Sequence, residues 1–221
     1  MLFTSEDAAA QILDLPNAPT IIKEVQKALT VEEKKRRHFY KTVTEQEKAE
    51  FINGEIVVHS PVIKMHNKSS GLLYKLIDTY VDINDLGFTG IEKILIKLTR
   101  NDYEPDLCFF KKEKAEHFQD REMFFPAPDF VVEVLSKSTE QRDRGIKFRD
   151  YAAHGVEEYW IIDAEQHFVE QYLLKNGDYE LALKSNSGTI KAKVIDGFEI
   201  PIVAIFDKKE NADTLRKMLA G

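Results

Sequence analysis

The chain has 221 residues, 43% of them hydrophobic and 31% charged, which suits a globular domain with a substantial core and excludes a disordered or fibrous chain. No apolar run approaches the roughly 20 residues that span a bilayer, and the opening MLFTSEDAAAQ lacks the basic start and apolar core of a signal peptide. A net charge of −7 argues against electrostatic coating of nucleic acid without forbidding a local basic face, and the single cysteine, Cys108, rules out an internal disulfide and suits a reducing cytoplasm.

In chain order, residues 5–15 form a short amphipathic segment ended by Pro16 and Pro19. Residues 20–37 form a second helix, with Ile21, Ile22, Val25 and Leu29 at helical spacing. Its tail, EEKKRRH from Glu32, reads as a solvated helix end, with a phosphate-contacting patch as the sharper alternative. Residues 51–58 predict a hairpin turning at Asn53-Gly54, with Glu55 directly after the turn. Pro61 opens a helix over about 62–85, striped by Leu72, Leu73, Leu76, Ile77 and Tyr80. His66 lies in its first turns, where capping or packing is commoner than catalysis. Residues 88–91 and 94–98 alternate as two strands or one bent strand. Pro105 cannot donate to a ladder, so the next strand effectively begins at Asp106. Residues 111–127 are a polar excursion.

The most informative stretch is 128–163, PDFVVEVLSKSTEQRDRGIKFRDYAAHGVEEYWIID, which reads as strand, helix, strand. Residues 130–135 are β-branched and apolar except for Glu133, as in a strand covered on both faces. A carboxylate there demands a cation, a metal ion or a mouth of solvent, because burying it alone costs several kcal/mol. Ser138 and Gln141 have the spacing of a capping box, and the helix they open runs to about His154, stopped by Gly155. A unit of this length is a right-handed crossover between parallel strands, and it folds Lys147 back toward Glu133. Beyond it, residues 167–174 and 179–183 pair around Asn176-Gly177-Asp178, residues 189–195 form a short strand, and residues 207–219 a final helix. There is no repeat, no glycine-rich phosphate loop and no zinc-type Cys/His spacing.

Gly54-Glu55, Pro105-Asp106, Glu133 to Ser138 as ExxSxS, and Gly145 to Lys147 as GxK, followed by YAAHGVEEYWIID, resemble the Uma-type putative restriction endonucleases of the PD-(D/E)xK nuclease superfamily. The resemblance covers about residues 48–175. It implies an α/β fold, a restriction-endonuclease-like mixed β-sheet flanked by helices, with residues 1–37 as an N-terminal helical extension and 38–221 as the nuclease-like domain. It also implies Mg²⁺ or Mn²⁺ held by Asp106 and Glu133, Glu55 as a third carboxylate, DNA as substrate, and a homodimer. Hard divalent ions take carboxylate, water and phosphate oxygens, acidify a bound water and polarise a phosphoryl group.

The superfamily lysine normally stands two residues after Glu133, where this chain has Leu135; the resemblance moves that role to Lys147. The bland alternative is an ion pair of Lys147 with Asp143 one turn earlier, worth about 0.3–0.5 kcal/mol. Lys137, Arg142, Arg144, Lys147 and Arg149 form a basic cluster suited to a phosphate backbone. Ser136 and Ser138 read as helix caps, Tyr151 as core or cleft lining, and Cys108 as packing. Two other functions stay open: a catalytically inert binding module on the same fold, and a metal-dependent phosphoesterase acting on RNA or small nucleotides.

Overall fold

The computed structural model describes residues 5–44 and 46–220. The first four residues of the opening stretch, and positions 45 and 221 of the nuclease-like domain, lie outside the described residues.

Helices α1 (Ser5–Leu13) and α2 (Ala18–Thr42) come first. Helix α2 passes unbroken through residue 37. Five of the seven residues of its charge run, Glu33, Lys34, Lys35, Arg37 and His38, are exposed as in a solvated stretch, but the helix does not end there. Arg36 is buried and grips Asp102 at 2.8 and 2.6 Å, while Glu32 takes Arg100 and Lys35 takes Glu55. With Phe39 packed on Ala49, Phe51 and Leu95, these contacts fasten the end of α2 to the domain.

Strands β1 (Ala49–Ile52) and β2 (Glu55–Val58) form the expected hairpin. Asn53 and Gly54 both have positive φ, 50° and 83°, the backbone that a two-residue turn with the strands' own twist requires. Helix α3 (Lys64–Asn84) follows, then β3 (Gly87–Ile91) and β4 (Leu95–Lys97). The last two are separate strands in different sheets; the chain changes sheet between them, where Glu92 has a φ of 63°. Next are β5 (Asp102–Tyr103), β6 (Leu107–Lys111), α4 (Lys112–Ala115) and β7 (Phe124–Phe125). Strand β8 (Phe130–Val134) leads through α5 (Glu140–Asp143) and α6 (Ile146–Ala153) to β9 (Glu158–Asp163), which pairs with β8 in parallel.

The crossover therefore carries two helices where one was expected. Gly145 separates them, because a Cβ there would meet the Gln141 carbonyl oxygen at 2.5 Å. Neither Ser138 nor any other side chain caps α5; its first flanking residue is Thr139. Gly155, at a φ of 76°, ends the second helix as predicted. Strands β10 (Phe168–Lys175) and β11 (Asp178–Ser185) form the later hairpin. Strands β12 (Thr189–Lys191) and β13 (Glu199–Pro201) make a small ribbon. A 3-10 turn (Ile202–Ile205) and α7 (Lys208–Ala220) end the chain.

The mixed sheet β11-β10-β9-β8-β6-β3 is the backbone of the molecule, accompanied by a second sheet, β2-β1-β5-β4-β7. Alternation along β8 distributes its side chains between two cores. Phe130, Val132 and Val134 join Leu73, Leu76 and Ile77 of α3, with Trp160 and Ile162 of β9. Val131 faces the other side, with Cys108, Tyr151 and Ile161 and with Ile52, Ile96 and Tyr103 of the second sheet. By the same alternation Glu133 shares the face of Val131, beneath α6 and the second sheet. No helix among the described residues is long and apolar enough to cross a membrane.

Candidate active site

Strands β6 and β8 are antiparallel neighbours with Leu107 opposite Val132. One step beyond that pair lie Asp106 and Glu133, so the register puts the two carboxyl groups side by side at one end of the sheet. The Val134 amide donates to Asp106 Oδ2 at 2.8 Å, which fixes the orientation of that carboxylate. Helix α6 lies over the same face. Lys147 and Tyr151, one turn apart, both reach Glu133 Oε1, at 2.9 and 3.2 Å.

Lys147 is 1% exposed and held by three acids: Glu50 at 2.8 Å, Glu133 at 2.9 Å and Asp143 at 3.5 Å. The expected pair with Asp143 exists, but it is the longest of the three. Asp106 is flanked in turn by Lys48 at 3.0 Å and His66 at 3.2 Å. A cavity of about 600 Å³ opens onto this group, with Lys48, His66, Asp106, Glu133 and Lys147 in its lining.

The hairpin carboxylate at the cluster is Glu50 and not Glu55. Glu55 opens an edge strand immediately after the turn, points into solvent with its side chain 74% exposed, and pairs with Lys35 at 2.7 Å. Glu50 lies on β1, inside the second sheet, and is fully buried; it contacts Lys147 and His59 and accepts the Glu104 amide. Reading the hairpin from Phe51 left Glu50 outside the strand by one residue. His66, expected to cap or pack, is buried and turned onto Asp106, and Lys48 carried no motif at all. Ser136 bonds to Ser138 and Thr139 instead of capping a helix. Cys108 is buried packing, and Leu135 packs beside the same core. Tyr151 is at once core and a donor to the site.

The basic cluster divides. Lys137, Arg142 and Lys147 line the cavity, whereas Arg144 is bonded to Glu170 and Glu140, and the exposed Arg149 stands outside the lining.

Four buried carboxylates, Glu50, Asp106, Glu133 and Asp143, face two lysines, Lys48 and Lys147. His59 pairs with Glu50, and His66 with Asp106, whereas Glu133 shares Lys147 with Glu50 and Asp143. Burial, with the repulsion of Asp143, Asp106 and Glu50, pushes the Glu133 carboxyl well above the usual range against the pull of Lys147. Burial would raise Glu50 and Asp106 as well, but Lys147 and His59 hold Glu50 down to about 2, and His66 with Lys48 hold Asp106 low. Lys147 is kept firmly protonated, because its three carboxylates outweigh desolvation.

This donor set fits a hard divalent cation, because the carboxyl groups of Asp106 and Glu133 lie side by side at one cavity. Among the described residues no three His, Cys, Asp or Glu side chains form a ready-made metal cage, but Mg²⁺ commonly takes one or two carboxylates and completes its shell with water and phosphate.

A family model, Uma2, described as a putative restriction endonuclease, matches residues 32–203. An uncharacterised Synechocystis protein, slr1290, is 32% identical over 139 residues, covering 61% of this chain and 70% of its own length. A second, sll1609, is 29% identical over 146 residues, covering 64% and 80%. The fold is similar to the crystal structure of a "putative nuclease belonging to DUF820" from Anabaena variabilis. Its TM-score is 0.66 at 18% identity, over 76% of this chain and 94% of that one.

Proposed function

The chain belongs to the Uma2 family of putative restriction endonucleases, and from that premise we propose that it is a metal-dependent endonuclease hydrolysing DNA phosphodiester bonds. The observation that carries the proposal is the pairing of Asp106 and Glu133 on adjoining strands at one cavity, with a buried lysine on Glu133. Asp106 and Glu133 would hold Mg²⁺ or Mn²⁺. Bound there, the ion would acidify a water and draw charge from the phosphoryl oxygens.

The remaining tasks belong to the chain itself. Lys147 stays protonated and, held between Glu50 and Glu133, has its ammonium fixed in place to orient the attacking water or to offset the charge that develops on the phosphate. Glu50 takes the third-carboxylate role expected of Glu55, positioning Lys147. The Val134 amide and His66 orient Asp106. In this reading, substitution Glu133→Gln removes Mg²⁺-dependent cleavage of plasmid DNA and leaves the circular dichroism spectrum unchanged. Cleavage at the wild-type rate refutes the assignment.

One observation favours an inert binding module instead: Asp106 already has Lys48 and His66 beside it. Calorimetry separates the two, since an inert module takes up no Mn²⁺ at millimolar concentration and Asp106→Ala leaves that null result unchanged. We also propose a homodimer formed through the exposed Ile22, Val25 and Leu29 of α2. A reducing cytoplasm is the proposed compartment, where a lone buried thiol suffers no mispairing.

A further inference from the structure

The segment that follows β8 brings Ser136, Lys137, Ser138, Thr139 and Arg142 into the cavity lining. Ser136 Oγ lies 3.1 Å from Ser138 Oγ and 2.9 Å from Thr139 Oγ1, so three hydroxyls are gathered at one place. Three acids also line this side, Glu140, Asp163 and the exposed Glu165, and two of them have partners of their own. Glu140 bonds to Arg144, and Asp163 accepts the amides of Glu165 and Gln166.

Arg142 differs from its neighbour Arg144. Arg144 is gripped by Glu170 at 2.6 Å. The Arg142 side chain is half-buried, forms no ion pair among the described residues, and has its Nε buried without a hydrogen-bond partner. That nitrogen is closed off from the cavity, so a ligand would meet the outer guanidinium nitrogens, which are not buried and whose planar fork matches the oxygens of a phosphate. The cavity, at about 600 Å³, is in the range that holds a ligand far larger than one phosphate group.

We propose that Arg142, with Lys137 and the hydroxyls of Ser136, Ser138 and Thr139, forms a phosphate subsite of its own beside the Asp106–Glu133 pair. It grips a backbone phosphate flanking the scissile one. The inference rests on the nuclease reading and deepens it: the substrate is a polynucleotide held through at least two phosphates, and a mononucleotide lacks the second handle. Arg142 acts here as a positioning residue, separate from the chemistry assigned to Lys147.

The test measures binding of a fluorescein-labelled oligonucleotide to full-length protein carrying Glu133→Gln, across a series of salt concentrations. Adding Arg142→Ala is expected to weaken binding about tenfold at moderate salt and to lower the slope of log affinity against log salt by about 1. Arg142→Lys, which keeps the charge, restores the slope and part of the affinity. Unchanged affinity and slope in a folded Arg142→Ala protein overturn the subsite, as does a loss that Lys does not repair. Cleavage by otherwise wild-type protein is followed in parallel. If the slope depends on Arg142 while wild-type protein cleaves nothing, the subsite stands and the nuclease reading falls. If wild-type protein cleaves and Arg142→Ala binds as before, the nuclease reading stands and the subsite falls.

Discussion

Lys147 is the residue on which the acids of the site depend, since Glu50, Glu133 and Asp143 all lean on its single charge. Replacing it with Met leaves three buried carboxylates with one cation fewer, and breaking a buried pair from one side costs about 3–5 kcal/mol. Urea denaturation should show a loss of that size for Lys147→Met; a loss below about 1 kcal/mol would mean that the acids are simply protonated and the lysine is dispensable to the fold. A second acid gives a pH signature. Burial raises the Glu104 carboxyl to about 7 from its usual 4.5, so the folded chain binds its proton more tightly than the unfolded chain does. That contribution to stability is complete below pH 4.5 and is lost as pH rises through 7. Glu104→Gln keeps an acceptor for the Ala49 amide and should flatten the decline between pH 5 and pH 8, by up to about 3 kcal/mol. An unaltered pH slope of the urea midpoint contradicts it. The sequence exposed Glu133 because it is a carboxylate inside an apolar run, whereas Asp106 was marked by the Pro-Asp pair of the family resemblance. Glu50 gave no such signal. All four residues of β1 are buried, so no alternation marks it, and its partners arrive from sequence positions far away.

At the scale of elements, the period of two along β8 does most of the positioning, sending Glu133 to the face that α6 covers. That much was legible in the sequence. The break between α5 and α6 was not, because residues 138–154 contain nothing that forbids a continuous helix except one glycine, which a helix tolerates. Its necessity lies in the local path of the backbone: the chain leaves α5 so that the Gln141 carbonyl, four residues earlier, lies where a side chain at 145 would be. Gly145→Ala therefore forces the two helices apart, two residues from Lys147. The expected cost is about 1–3 kcal/mol together with reduced cleavage, measured by urea denaturation and plasmid nicking. Equal stability and activity would show that the junction has slack to absorb the methyl group.

Across the whole molecule, the parallel pair of β8 and β9 followed from the crossover unit and the mixed sheet with its flanking helices from the family resemblance, whereas the second sheet followed from neither. That sheet is assembled from strands of two to four residues drawn from distant stretches, too short for periodicity to declare them. Nor did the charge run on α2 reveal that one of its arginines is a buried anchor, because a bidentate pair with Asp102 spans 66 residues of sequence. The other half of that helix presents Ile22, Val25 and Leu29 to solvent. If they form the proposed dimer interface, Val25→Asp should convert the protein to monomers in sedimentation equilibrium without altering its melting profile as a monomer; wild-type protein that sediments as a monomer removes the proposal. The central claim, that Asp106 and Glu133 share a divalent ion, is tested most directly by anomalous diffraction at the manganese edge from crystals soaked in Mn²⁺. The account predicts a peak between the two carboxylates, with Lys147 still on Glu133 and with Lys48 or His66 displaced from Asp106. Manganese bound elsewhere, or no peak with Lys48 and His66 still in contact with Asp106, would contradict it.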